Sequence, residues 1–280
     1  MSPDETNDAP SAKARIDGVL ATKASVVLVF RRGPSALTQQ LLWNLDTDKV
    51  APGEWIKASV YTRRCDLSPN GKYLVGFYSD YSPAHKKRTK KDHGVEAACW
   101  TAVSFAGSFK PLALWLQANS YFGGGQWIAN GKLEIDPQGP HEAVPPPPDL
   151  RVKRTDGKRL GQVGLIWAER LERRGWIRVK SEGRLKASGF AMAWIKKTDK
   201  GRLVYQSTRE DDAGDETWTL FDAKGNAVRT WNTPLGKPMF IDFDRRGRLV
   251  FGEEGCLYAW ENWPEGEPRL IADLNANAPT

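Results

Sequence analysis

The sequence predicts an all-β fold assembled from similar antiparallel units, and three observations carry that prediction. Twelve Trp and ten Phe are broad rings that suit pleated, half-buried surfaces and are costly to leave in water. A Gly, a basic residue and a Leu recur after polar turns, at Gly71-Lys72-Tyr73-Leu74, Gly131-Lys132-Leu133, Gly201-Arg202-Leu203-Val204 and Gly247-Arg248-Leu249-Val250. A second strand-turn-strand phrase accompanies these at similar separation. The 280 residues suffice for one large β domain, expected over residues 25–280 behind a polar, disordered tail at 1–24.

The best-formed copy is DLSPNGKYLVGFYSD, residues 66–80. Ser68, Pro69, Asn70 and Gly71 each favour a turn, and KYLVGFYS is a strand-forming run. DFDRRGRLVFGEEG, residues 242–255, also places Asp five residues before Gly, so Asp66 and Asp242 read as organisers of that turn. KKTDKGRLVYQSTRE moves the Asp to Asp199, and Asn130-Gly131 is the strongest short hairpin signal. The companion phrases lie at 41–56, 100–116, 217–231 and 256–274.

Two phrases together give four antiparallel strands, the blade of a β-propeller. Residues 66–74 resemble the D-x-S-P-D-G-K-x-L turn of WD-like β-propellers, with Asn70 in place of the usual acid. That resemblance implies a propeller over most of 25–273 and no particular activity; the G-H and W-D signatures of the regular repeat are absent. Five blades are expected, at 25–56, 61–116, 121–179, 190–231 and 239–273, with six as the alternative. The first has three evident strands and would take its innermost strand from a chain terminus.

Two segments break the rhythm, and insertions in repeat proteins map to binding faces. The formal charge of +7 is concentrated in them. SDYSPAHKKRTKKDHGVEAA, residues 79–98, reads as a loop between the second and third strands of blade two. Lys86, Lys87, Arg88, Lys90 and Lys91, with Tyr81 just before them, suit a phosphate backbone with a ring to stack on bases; a solvated loop is the plainer reading. His85 and His93 lack a third metal ligand and read as solvated.

The second segment, residues 144–180, opens with four prolines that exclude a central strand. Leu160, Val163, Ile166, Trp167 and Leu171 then follow helical spacing, and Gly175 is placed to end the helix. Arg170, Arg173 and Arg174 fall on or near its polar side. They suit a docking element, inserted in blade three, for an acidic protein, a nucleic acid or, least well because the apolar face is short, a membrane surface. The plainer reading packs the apolar side on the sheets and leaves the arginines in water.

Catalytic constellations are missing. His85, His93 and His141 sit in polar or Pro-rich stretches, away from the rigid strand ends where a base would be held. There is no P-loop, GxGxxG or HExxH. A glycosidase would draw a carboxylate pair from Asp66, Asp80, Asp136, Glu210, Asp242 and Glu253. The acidic stretch Glu210, Asp211, Asp212, Asp215, Glu216 lacks EF-hand spacing. Cys65, Cys99 and Cys256 form no CxxC pair and read as buried small hydrophobes.

The N-terminal residues contain no apolar run, so neither a signal peptide nor a membrane anchor is expected, and the default compartment is cytoplasmic. The expected function is non-catalytic recognition of a protein partner through the inserted segments, with no cofactor, no metal and no membrane. A nucleic-acid-binding propeller using residues 84–93 and a five-bladed glycosidase-like enzyme are the alternatives.

Overall fold

The chain folds into five consecutive β-sheets with two helices between them. The structure is a computed structural model and describes residues 13–33, 37–135, 141–155, 163–179, 192–208, 215–233 and 239–279. The first sheet is an antiparallel meander of β1 (Arg15–Leu20), β2 (Val26–Arg32), β3 (Leu37–Asn44) and β4 (Val50–Lys57). β1 lies inside the segment expected to be a disordered tail. Its Ile16, Val19 and Leu20 are buried, and it supplies the strand that the first unit lacked, from the N-terminal side.

In the second sheet, the short β5 (Ser59–Val60) and β6 (Asp66–Leu67) both pair with β7 (Tyr73–Ser79), followed by β8 (Cys99–Phe105) and β9 (Ala113–Gln117). The third contains β10 (Gly125–Ala129) and β11 (Lys132–Ile135), joined across the Asn130-Gly131 turn. Next, β12 (His141–Val144) returns to pair with β9 of the second sheet, while β13 (Arg151–Arg154) runs parallel to β11. Prolines 145–148 cannot donate to a ladder, so the chain leaves one sheet edge and crosses to another. His141 is therefore a strand residue.

The fourth sheet is β14 (Ile177–Val179), β15 (Met192–Thr198), β16 (Gly201–Ser207), β17 (Glu216–Asp222) and β18 (Ala227–Thr233). The fifth is β19 (Ile241–Phe243), β20 (Leu249–Glu253), β21 (Cys256–Trp260) and β22 (Arg269–Asp273). The third unit was thus drawn too long: residues 141–144 and 177–179 belong to its neighbours.

Four pairs of neighbouring sheets share a core. Val19, Leu28 and Phe30 of the first pack with Leu67, Leu74 and Tyr78 of the second. Val75, Val103 and Trp115 of the second meet Trp127, Leu133 and Ile135 of the third. The fourth and fifth join through Trp194, Tyr205, Trp218, Ile241 and Phe251. The fifth closes onto the first, Phe240, Val250 and Leu257 meeting Ile16, Val27 and Trp43. That last seam also carries polar ties: the Ala14 amide donates to Asn275 Oδ1 at 2.9 Å, and Arg31 Nε to the Leu274 carbonyl at 3.0 Å. Arg248, 3 % exposed, binds Asp244 at 2.7 Å, Asp48 at 2.9 Å and the Leu45 carbonyl at 2.6 Å.

Glycine is required where Gly124 passes the second sheet. Its φ is +92°, and an added Cβ would stand 2.4 Å from the Arg64 carbonyl oxygen. Gly94 has φ +77° with nothing within 4 Å, so the pair separates backbone preference from collision. Gly94→Ala should cost about 1 kcal/mol and Gly124→Ala about 3 kcal/mol, read as urea midpoints at unchanged slope.

Candidate functional site

Each basic segment forms a helix, and the two place their charges oppositely. The first, α1 (Pro83–His93), occupies the segment expected to be a loop. Its capping is complete: the Ser82 hydroxyl accepts from the His85 amide, Pro83 opens the first turn, and Gly94, at φ +77°, donates to the Lys90 carbonyl. Lys90, Lys91 and His93 in the last turn suit the negative end of the helix dipole. Only His85 and Thr89, one turn apart, are buried. Thr89 Oγ1 accepts from the Ala97 amide at 3.0 Å, and the His85 ring stacks on Trp100 with centroids 4.7 Å apart.

His85 is therefore an anchor rather than a solvated residue. Arg88 Nη2 stands 2.9 Å from its Nδ1, so the neutral ring carries its proton on Nε2. Burial, aided by Arg88, holds its pKa below the usual histidine value against the pull of Asp80. His93 is half-buried. Lys87, Arg88, Lys90 and Lys91 are exposed and Lys86 half-buried. Tyr81, just before the helix, is 52 % exposed, and its hydroxyl accepts from Cys99 Sγ at 3.4 Å.

The second helix, α2 (Val163–Arg173), and the turn that follows it carry the predicted arginines inward. Leu160 lies outside the described residues; Ile166, Trp167 and Leu171 are buried as their spacing predicts. Arg170, 7 % exposed, donates to the Thr62 carbonyl at 3.0 Å and the Cys65 carbonyl at 2.6 Å. Arg173 binds Asp66 Oδ2 at 2.6 Å and Gln126 Oε1 at 2.7 Å. Arg174 binds Asp242 Oδ2 at 2.6 Å and the Ala21 carbonyl at 3.0 Å. These side chains join the first, second, third and fifth sheets, and neither expected setting, a docking face or a solvated one, describes them. The helix lies between the third and fourth sheets in the chain instead of within one unit.

The repeated aspartates take their role from this helix. Asp66 Oδ1 accepts from the Leu67 amide and Oδ2 from the Trp127 amide at 2.7 Å, besides Arg173. Asp242 Oδ1 accepts from the Phe243 amide and from Lys196 Nζ at 2.6 Å, besides Arg174. The turn itself is organised two residues later, by Ser68, whose hydroxyl accepts from the Tyr73 amide, and by Asp244, which accepts from the Arg246 and Arg248 amides. Sequence reasoning missed Asp17 on β1, where Asp17 Oδ1 accepts from the Gly18 amide at 2.7 Å as its counterparts do. The shared signal was a buried apolar or Cys residue followed by Asp: Ile16-Asp17, Cys65-Asp66, Ile241-Asp242.

Burial pushes the Asp66 carboxyl up, against Arg173 and the Trp127 amide. Burial also works to raise Asp242, but the Arg174 and Lys196 charges overcome it and hold the group below the usual carboxylate range. Glu216 pairs with Arg63, and Glu253 with Arg229 at 2.7 Å. Asp80 accepts from the Ser82 amide at 2.9 Å. Asp136 and the stretch 209–214 lie outside the described residues. Among the described residues no group of three or more metal-ligating side chains converges, and no helix is long and apolar enough to cross a membrane. All three cysteines are free, Cys65 and Cys99 buried and Cys256 half-buried.

No protein-family model matches this chain, and no curated protein matches it. Among solved structures, the uncharacterized protein lmo1340 from Listeria monocytogenes EGD-e is 9% identical over 95% of this chain and 85% of its own, with a TM-score of 0.30. SapL1 lectin, solved in complex with alpha methyl fucoside, is 11% identical over 95% of this chain and 81% of its own, with a TM-score of 0.26. Neither likeness is strong enough to bear on fold or function.

Asp242→Asn would leave Arg174 and Lys196 buried beside an uncharged amide. It should cost about 3–5 kcal/mol at neutral pH in urea unfolding. Because the folded-state pKa of Asp242 is depressed, its contribution is complete above the unfolded value of about 3.9 and disappears as pH falls through the folded value. The gap between wild type and variant should narrow over that acid window and stay constant above it. Asp66, shifted the other way, contributes with the opposite sign.

Proposed function

We propose that the five sheets are the blades of a β-propeller closed between the first and the fifth, and that the protein is a non-catalytic recognition module. It binds an acidic protein segment along α1. The order of shared cores supports the ring: the first and second, second and third, fourth and fifth, and fifth and first sheets each share a buried core, and α2 stands where the third gives way to the fourth, touching β10 and β14. The alternative count of six blades has no sixth sheet to support it among the described residues.

One observation carries the binding reading. Of the two basic clusters, that on α2 is consumed inside the molecule by carboxylates and carbonyls, whereas Lys86, Lys87, Lys90 and Lys91 make no ion pair among the described residues and face solvent or its edge. At about 100° per residue these four occupy one arc of roughly 140° on the helix. A cationic stripe on a rigidly capped helix attracts and orients an anionic partner. The carboxylates a glycosidase would need are committed: Asp66 and Asp242 each hold an arginine and a backbone amide. Among the described candidates neither Asp66 nor Asp242 is left free to act as acid or base, which favours binding over catalysis.

Changing Lys86, Lys87, Lys90 and Lys91 together to Glu tests this. A fluorescein-labelled peptide of alternating Asp and Ser should bind the wild type with affinity falling as salt rises, and the variant at least about tenfold more weakly. The urea midpoint should fall only slightly, because these side chains are outside the core and the loss is that of Lys90 and Lys91 at the negative end of the helix dipole. Equal binding by the variant, or tighter wild-type binding of a twelve-nucleotide oligo-dT than of the peptide, overturns the reading.

A further inference from the structure

The inner side of α1 borders a cleft of about 330 Å³, near the lower end of the range for small-molecule pockets, about 300–1,000 Å³. Its floor is apolar and comes from two sheets: Ile56 on β4, Trp100 on β8, Leu114 and Leu116 on β9, and Phe109 from the β8–β9 connection. Its rim on the helix side is Arg88, Asp92 and His93, with His85 and Thr89 behind them. The helix thus separates two surfaces, the lysine arc outward and the cleft inward, a few ångströms apart around one axis.

The floor favours one kind of occupant. Trp100 already stacks on Tyr78 at 5.6 Å and on His85 at 4.7 Å, with interplanar angles of 24° and 27°. Phe109 meets Tyr78 edge-on at 5.9 Å. The stacking capacity of these rings is spent within the chain, so the cleft is a poor platform for a base or an aromatic side chain. What Ile56, Leu114 and Leu116 offer is aliphatic surface. At the helix-side rim Arg88 and Asp92 offset each other, and the net positive charge comes from the lysine arc around the helix.

We infer that the cleft seats one aliphatic side chain of the acidic partner segment, so that the recognised sequence is a Leu- or Ile-like residue flanked by carboxylates. This rests on the reading of α1 given above and names the partner's chemistry. The flanking carboxylates reach the lysine arc and Arg88 at the rim, while the aliphatic group leaves water against the floor. Burial of one such side chain accounts for about a tenfold to hundredfold gain in affinity. The anchor fixes register, and the charges supply attraction without it.

Three fluorescein-labelled heptapeptides test this against the full chain, each with a central residue between two runs of three Asp. The centre is Leu, Ser or Trp. The Leu peptide should bind at least tenfold more tightly than the Ser peptide, and the Trp peptide should gain less than Leu. Leu114→Trp fills the cleft with apolar atoms. It should abolish the Leu advantage while leaving salt-dependent binding of the Ser peptide as it was, with the urea midpoint reporting that the variant is folded. Equal wild-type binding of the Leu and Ser peptides overturns the cleft assignment and leaves the acidic-partner reading standing. Failure of all three peptides to bind overturns both. A Trp peptide that binds tighter than Leu overturns the aliphatic assignment, a result obtained without any variant.

Discussion

Three arginines, two on α2 and one just past its end, tie four of the five sheets together. Arg170, Arg173 and Arg174 reach carboxylates, carbonyls and a side-chain amide on the first, second, third and fifth sheets. Sheets packed through apolar seams are free to slide, since hydrophobic contact is non-directional. Charged, forked hydrogen bonds are not. Each guanidinium fixes the distance and angle between elements that would otherwise be located by packing alone. The net energy of such buried pairs is small because desolvation offsets attraction; what they contribute is a single arrangement.

That constraint explains why the sequence was legible at one level and not at another. Strand phrases, turns and the Asn130-Gly131 hairpin follow from local propensity and gave an all-β chain, which the five sheets bear out. The apolar side of α2 was equally readable, since Ile166, Trp167 and Leu171 recur at helical spacing and are buried. The fate of its polar side was not. Periodicity identifies a polar face but cannot tell one turned to water from one turned to an interior lined with aspartates. Asp66 and Asp242 were misread for the same reason: an acid near a turn is locally explained by the turn, and its partner, Arg173 or Arg174, lies more than sixty residues away.

The candidate site on α1 was half visible. Its lysines stood out as a charge run, but the helix beneath them was missed because no apolar stripe marks it; its mean hydropathy is low and only His85 and Thr89 point inward. The caps Ser82, Pro83 and Gly94 were the available signal. Caps set where a helix starts and stops regardless of which face is buried. The cleft could not be foreseen, because Ile56 comes from a different sheet than Trp100 and Leu116.

The seam between the first and fifth sheets has a consequence for how the chain is made. Ile16, Leu20, Val27 and Trp43 are synthesised long before the residues that cover them, Phe240, Val250, Leu257 and Leu274. At ordinary rates of translation the two halves of that core are separated by on the order of tens of seconds. Throughout that interval the ribosome carries an apolar surface whose partner does not yet exist. A cell making this protein must keep that surface from other nascent chains, and the burden falls on the earliest sheet, not on the most complex one.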